Sequence, residues 1–307
     1  MNCLVLGGAG FIGSHVVDTL LAAGHRVRVF EHPDCNPANL AGVRERIELC
    51  RGDFTRPAEL EPALDGIDQI VHLVGTVLPA SSNLKPCFDI ETNLKSTVAL
   101  LEMAVKNRVE KVVFASSGGT VYGIPEALPL TEKSPTEPLT SYGIVKLATE
   151  KYLQLFHHLH GLDYTVLRIA NPYGERQNPA GAQGAVAVFL GRIREGRPIE
   201  IWGDGDIARD YLYIGDLARA FLKACETSRP EKLFNIGSGR PCSLNRLLEL
   251  LGEVTGRPVA VDYQPARACD VPVNYLDCGR AARVLDWEPR VSLRDGLERT
   301  WQWLRQR

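Results

Sequence analysis

Short apolar runs alternate with helical periodicity over roughly the first 170 residues. Residues 2–6 (NCLVL), 26–30 (RVRVF), 46–50 (RIELC), 69–74 (QIVHLV), 111–116 (KVVFAS) and 164–169 (YTVLRI) read as strands. An amphipathic stretch runs from the glycines at 7, 8 and 10 to about Ala23, and helical patterns recur near 57–64, 88–107 and 141–160. Strands alternating with helices imply parallel pairing through right-handed crossovers, so the pattern predicts a doubly wound α/β sheet.

Beyond Asn171 the pattern loosens. It predicts helices at 183–195, 216–228, 243–255 and 292–305, and short strands at 199–202 (IEIW) and in LFNIG. Proline and glycine cluster at 172–184 and 256–272, which makes this half rich in loops, where substrate contacts concentrate. The expected division is a dinucleotide-binding domain over 1–170, to which parts of 211–236 return, and a smaller α/β substrate domain over 171–307.

Composition narrows the function. A net charge of −2 in 307 residues offers no broad cationic surface for nucleic acid or anionic lipid. No apolar run reaches the roughly 18 residues of a membrane span, and MNCLVLGGAG lacks the features of a secretory signal. Cysteines stand at 3, 35, 50, 87, 225, 242, 269 and 278 without a CxxC pair, so they read as reduced thiols of a cytoplasmic protein. His157, His158 and His160 have no acid or thiol nearby in sequence and read as a solvated helix face, so no metal is expected.

The glycines at 7, 10 and 13 form GxxGxxG between strand and helix. Small residues there let backbone amides approach a pyrophosphate at a helix N-terminus. Phe11 and Ile12 complete this predicted cofactor loop. Glu31 closes the second strand 18 residues past Gly13, where a carboxylate accepts hydrogen bonds from ribose hydroxyls and repels a 2′-phosphate; NAD is therefore expected over NADP. Asp53 and Phe54 close the third strand beside the adenine. Leu73, Val74 and Gly75 close the fourth under the phosphates and ribose.

Tyr142 and Lys146, in SYGIVK, are spaced i and i+4 and project from one helix face. An ammonium beside a phenol, together with the positive nicotinamide ring of an oxidised cofactor, favours the phenolate and brings the tyrosine within reach of base catalysis.

The glycine fingerprint, ASSGGTVYG, YxxxK and LRIANPYG occur in one order, followed by WGDGDIARDYLYIGDLARAF and RACDVPVNYLDCGRAARVLDWEP. Together they resemble the extended short-chain dehydrogenase/reductase family, in its branch of nucleotide-sugar epimerases and dehydratases, over nearly the whole chain. The resemblance implies a Rossmann-type fold, bound NAD, Tyr142 as general base and Lys146 as its partner. It sets Ser116 and Asn93 beside the cofactor, Asn93 bracing a strand. On the substrate side, Asn171 would contact the sugar or diphosphate, and Arg209 and Arg267 would grip the diphosphate through bidentate contacts. Glu200, Ile201 and Trp202 would border the nucleotide base. A homodimer through helices near 93–107 and 141–159 is also implied.

The chain departs from the family pattern at Gly118, where a serine or threonine usually helps protonate the sugar oxygen. Either Ser117 or Thr120 could replace that hydroxyl. SGGT also lacks the acids of the dehydratases and the glutamate of the decarboxylases in this stretch, leaving epimerisation at C4 of a UDP-hexose as the simplest chemistry. Val77 replaces a frequent lysine, and Cys269 a frequent glycine. Asn274, or Tyr275 if the alignment shifts by one, occupies the place of a bulky tyrosine. The smaller Asn274 could admit an N-acetyl group, so the expected substrate is either the glucose/galactose pair or its N-acetylated counterpart. The alternatives are a dehydratase or reductase on the same scaffold, or a non-catalytic NAD sensor.

Overall fold

A computed structural model describes residues 1–181, 183–266 and 271–307. Six predicted strands form in chain order: β1 (Asn2–Leu6), β2 (Arg26–Glu31), β3 (Ile47–Arg51), β4 (Gln69–His72), β5 (Lys111–Ser117) and β6 (Asp163–Ile169). Beyond them lie β7 (Asn171–Tyr173), β8 (Ile199–Trp202), β9 (Ala208–Tyr213), β10 (Leu233–Ile236), β11 (Pro241–Ser243), β12 (Val261–Gln264) and β13 (Val273–Asn274). The main sheet is entirely parallel, in the order β10-β6-β5-β4-β1-β2-β3.

Why β1 is uninterrupted apolar sequence follows from its central place. Cys3 and Val5 pack into one core with the Phe11–Ala22 and Ile214–Glu226 helices. Leu4 and Leu6 pack into the other, with Leu100, Leu101, Leu153 and Phe156 from the opposite helical layer. A parallel strand covered on both faces has no polar side to spare.

The substrate-side half adds two small sheets. β9 pairs with β7, β11 and β13, and β8 pairs with β12. The strands β7, β9 and β11–β13 have two to six residues each, too short for periodicity to register. The helix Gly279–Leu285 was likewise unmarked.

Two predicted helices are broken. The 57–64 stretch divides into Pro57–Leu60 and a 3₁₀ turn Glu61–Leu64, because Pro62 has no N–H to continue an α-helix. The 88–107 stretch divides into Pro86–Asp89, a π-helical turn Ile90–Lys95 and the α-helix Ser96–Lys106. The Ser141–His160 helix is uninterrupted: Thr140 caps it by accepting from Gly143 N at 3.1 Å, and Gly161, at φ +72°, ends it. Among the described residues no helix is long and apolar enough to cross a membrane.

Candidate active site

The glycine loop is shaped by close approach. Gly7 has φ +82° and donates to Phe30 O at 3.0 Å. A Cβ on Gly13 would lie 2.1 Å from Gly7 O and 2.7 Å from Gly8 Cα, so only glycine lets the Phe11–Ala22 helix pack on the loop. That helix starts at Gly10 with no side-chain cap, leaving its N-terminal amides to an anion. The half-buried side chains of Phe11 and Ile12 pack against the core. Glu31, at the end of β2, reaches the loop directly, and its Oε2 accepts from Ala9 N at 2.9 Å. A cradle that a single Cβ would fill, with a carboxylate at its rim, fits a dinucleotide.

The next two strand ends are less uniform. Asp53 Oδ1 accepts from Thr55 N at 2.9 Å and Thr55 Oγ1 at 2.8 Å, and these bonds lower its pKa. The Phe54 ring is buried in the core, 5.2 Å from that of His72. Leu73 and Val74 are half-buried and Gly75 is exposed.

His72, Gly75, Asp89, Asn93, Tyr142 and Lys146 line one cleft at the carboxyl end of the sheet. Lys146 Nζ donates to Ala115 O at 2.8 Å, 4.7 Å from the Phe114 ring centroid and 5.5 Å from that of Tyr142. Burial lowers the Lys146 ammonium to about 8, against the opposing pull of Asp89 and Glu150. Burial, reinforced by Asp89, pushes the Tyr142 phenol up to about 12. Desolvation and the Asp89 charge thus favour the protonated phenol in the protein alone.

Asn93 sits in the π-helical turn and braces the loop after β4. Its Oδ1 accepts from Thr76 N at 2.9 Å, and its Nδ2 donates to Thr76 Oγ1 and Asp89 Oδ1, both at 2.9 Å. Thr97 Oγ1 gives its proton to Asn93 O at 2.6 Å, so at 2.9 Å from His72 Nε2 it can only accept. His72 is accordingly the neutral Nε2–H tautomer, and burial with Lys146 nearby lowers its pKa to about 3.

Ser116 has a buried hydroxyl that donates to Glu150 Oε1 at 2.5 Å, within the Glu150–Arg168 ion pair.

The Gly118 loop joins the two halves. Gly118 N donates to Ile169 O at 2.8 Å, and a Cβ on Gly118 would lie 2.6 Å from Leu276 Cδ1. Thr120 Oγ1 is buried without a hydrogen-bond partner. The Thr120 carbonyl lies 2.9 Å from where a Cβ on Gly143 would sit, which holds the loop against the helical turn carrying Tyr142. Ser117 is half-buried at the end of β5.

On the substrate side, Asn171 Nδ2 donates to Asp210 O at 3.2 Å. Arg209 and Asn274 face each other in the β9–β13 register. Asn274 is buried: its Nδ2 donates to Gly118 O at 3.3 Å and its Oδ1 has no partner. The backbone thus brings Asn171, Arg209, Asn274 and Gly118 to one region. The Ile201 side chain is in the core; exposed Glu200 pairs with Arg192 at 3.1 Å, and Trp202 is exposed at the strand end. Arg267 and Cys269 lie outside the described residues.

Sequence reasoning missed Asp89 and Asp210. Asp89 lies four residues before Asn93, a helical spacing that signals the contact. Asp210 is buried and accepts from Ser238 N and Oγ, Gly239 N and Leu276 N, contacts without a local signal.

The model of the NAD dependent epimerase/dehydratase family matches residues 3–237. The chain belongs to this family. Its relatives include the UDP-glucose 4-epimerase of Mycolicibacterium smegmatis, 35% identical over 311 residues and covering 99% of each chain. Among solved structures, the UDP-glucose 4-epimerase of Thermotoga maritima with UDP-glucose is 40% identical, with a TM-score of 0.94, over 100% of this chain and 99% of that one. The UDP-glucose 4-epimerase of Thermus thermophilus, in complex with NAD, is 33% identical, with a TM-score of 0.93 over 99% of both. NAD is the cofactor of this chain, as the family description states.

Proposed function

We propose that the chain is a UDP-hexose 4-epimerase that retains its NAD and consumes none. The observation that carries this reading is the buried Tyr142–Lys146 cleft beside a Gly118 loop without an acid. The 1–170 region, with β10 and the Ile214–Glu226 helix, holds the cofactor; Asn171, Arg209 and Arg267 hold the UDP diphosphate, and exposed Glu200 and Trp202 border the base.

NAD held there would supply reversible hydride acceptance at sugar C4, which a change of face converts into epimerisation. Tyr142 takes the proton of the C4 hydroxyl and gives it back after the 4-keto sugar has turned. Lys146 holds the ribose hydroxyls and presents positive charge to the phenol. Thr120 is the better candidate for the hydroxyl missing at Gly118, because its buried Oγ1 lacks a partner and its loop packs beside Tyr142. Asn274 leaves room beside the sugar 2-substituent, which supports turnover of the N-acetylated pair.

The protein acts in the cytoplasm as a homodimer. Ile144, Leu155 and Leu159 on the Ser141–His160 helix are exposed, as are Leu84, Phe88 and Ile90. Their burial against a second copy would remove a long apolar stripe from water. The Ser96–Lys106 helix exposes charged Glu102 and Lys106 instead, so the apolar contact lies nearer 84–90 than the expected 93–107.

Proton NMR of the purified protein with UDP-glucose, UDP-N-acetylglucosamine or UDP-glucuronate, without added NAD, tests the reading. A C4 epimer supports it and selects the sugar. A keto or unsaturated product would replace it with a dehydratase.

A further inference from the structure

Asp89 is a fully buried carboxylate that the chemistry above does not use. It lies at the junction between the Pro86–Asp89 helix and the π-helical turn. Oδ1 accepts from Asn93 Nδ2 at 2.9 Å, and Oδ2 accepts from Ser141 Oγ at 2.8 Å. Asn93 in turn holds Thr76 on the cofactor-side loop, and Ser141 immediately precedes Tyr142. Asn83 Oδ1 adds a bond from Ser141 N at 2.8 Å, fixing the same turn. One carboxylate thus joins the β4 loop to the first turn of the Ser141–His160 helix.

We infer that Asp89 is a positioning residue of the reaction, clamping Tyr142 against the cofactor-side loop and setting a negative charge in the cleft that Lys146 lines. Several other groups bear on that charge. Tyr142, Lys146 and Glu150 come from the Ser141–His160 helix, and neutral His72 from β4. Asp89 raises both Tyr142 and Lys146. It therefore helps keep the lysine an ammonium despite burial, and holds the phenol protonated until a positive ring is beside it. Leaving this carboxylate buried is costly unless both oxygens are bonded, and both are.

The inference rests on Tyr142 being the proton-transfer group, but its test does not need the sugar to be known. In NAD-loaded protein, the pH midpoint of the near-ultraviolet tyrosinate band is measured as the difference between each variant and its Tyr142→Phe counterpart. Asp89→Asn, which keeps the shape but removes the charge, is expected to lower the Tyr142 midpoint by about 1 pH unit. Ser141→Ala, which keeps the charge but breaks the clamp, is expected to leave that midpoint in place. With a substrate that wild type turns over, Ser141→Ala should lower kcat several-fold at unchanged KM.

An unchanged Tyr142 midpoint in folded Asp89→Asn would overturn the electrostatic part, and full kcat in Ser141→Ala the clamp. If Asp89→Asn does not fold, the Ser141→Ala kcat still decides the clamp, and Asp89→Ser, which removes the same charge with a shorter hydrogen-bonding side chain, decides the charge by the same midpoint: a fall supports it and an unchanged midpoint overturns it. Wild-type failure on every UDP-sugar would count against the epimerase reading, while the tyrosinate midpoint would still decide Asp89.

Discussion

Gly118 and Leu276 meet so closely that a Cβ on Gly118 would stand 2.6 Å from Leu276 Cδ1. The glycine is thus part of the fit between the β5 loop and the substrate-side strands. Restoring the serine found here in related proteins should cost stability rather than add activity. Gly118→Ser is expected to lose about 1–3 kcal/mol through overpacking, measured by denaturant unfolding. Leu276→Ala in the same chain should return part of the loss relative to Leu276→Ala alone, because it removes the obstructing methyls.

The hydroxyl that serves the sugar oxygen should be that of Thr120. Thr120→Val is expected to lower kcat at least tenfold, whereas Ser117→Ala should remain within about threefold of wild type, by analogy with the size of other acid–base contributions. Steady-state kinetics on the sugar found by NMR distinguishes them. The reverse ranking would assign the role to Ser117.

Much of this site could be read along the chain because it is built from local spacings. GxxGxxG between strand and helix, and Tyr142 one helical turn from Lys146, are recorded within a few residues. What escaped is long-range. Nothing near Ser116 indicates that its hydroxyl belongs to Glu150, or near Gly118 that Leu276 covers it. Ile201 sits in a motif position, yet alternation along β8 turns its side chain into the core, and the Phe54 ring, in the turn after β3, is buried as well. The π-helical turn at Ile90–Lys95 likewise depends on Asn93 binding both Thr76 and Asp89, contacts that apolar periodicity does not encode.

Burial of neutral His72 should appear in acid stability. Its pKa falls from the ordinary 6.5 to about 3 in the folded chain, so the unfolded chain binds the extra proton between those values. The stability it contributes is complete above about pH 6.5 and drains as pH falls toward 3. Urea unfolding from pH 7 to pH 4 should therefore show a shallower loss in His72→Gln than in wild type. Equal slopes would mean that the ring is not held neutral.

The glycine cradle gives a prediction independent of catalysis. Gly13→Ala places a Cβ 2.1 Å from Gly7 O, so the loop must move to admit it. The purified variant should carry much less NAD than wild type by nucleotide content after denaturation. Wild-type occupancy would show that the cofactor tolerates a displaced loop.

The central claim is that hydride leaves sugar C4 and returns to the same carbon, with Tyr142 moving the proton. It is tested most directly with UDP-glucose, or the active UDP-sugar found by NMR, deuterated at C4, incubated with protein and no added NAD. The account predicts a C4 epimer that keeps its deuterium, and no such product with Tyr142→Phe. Loss of deuterium from C4, or its appearance at another carbon together with loss of water, would contradict it.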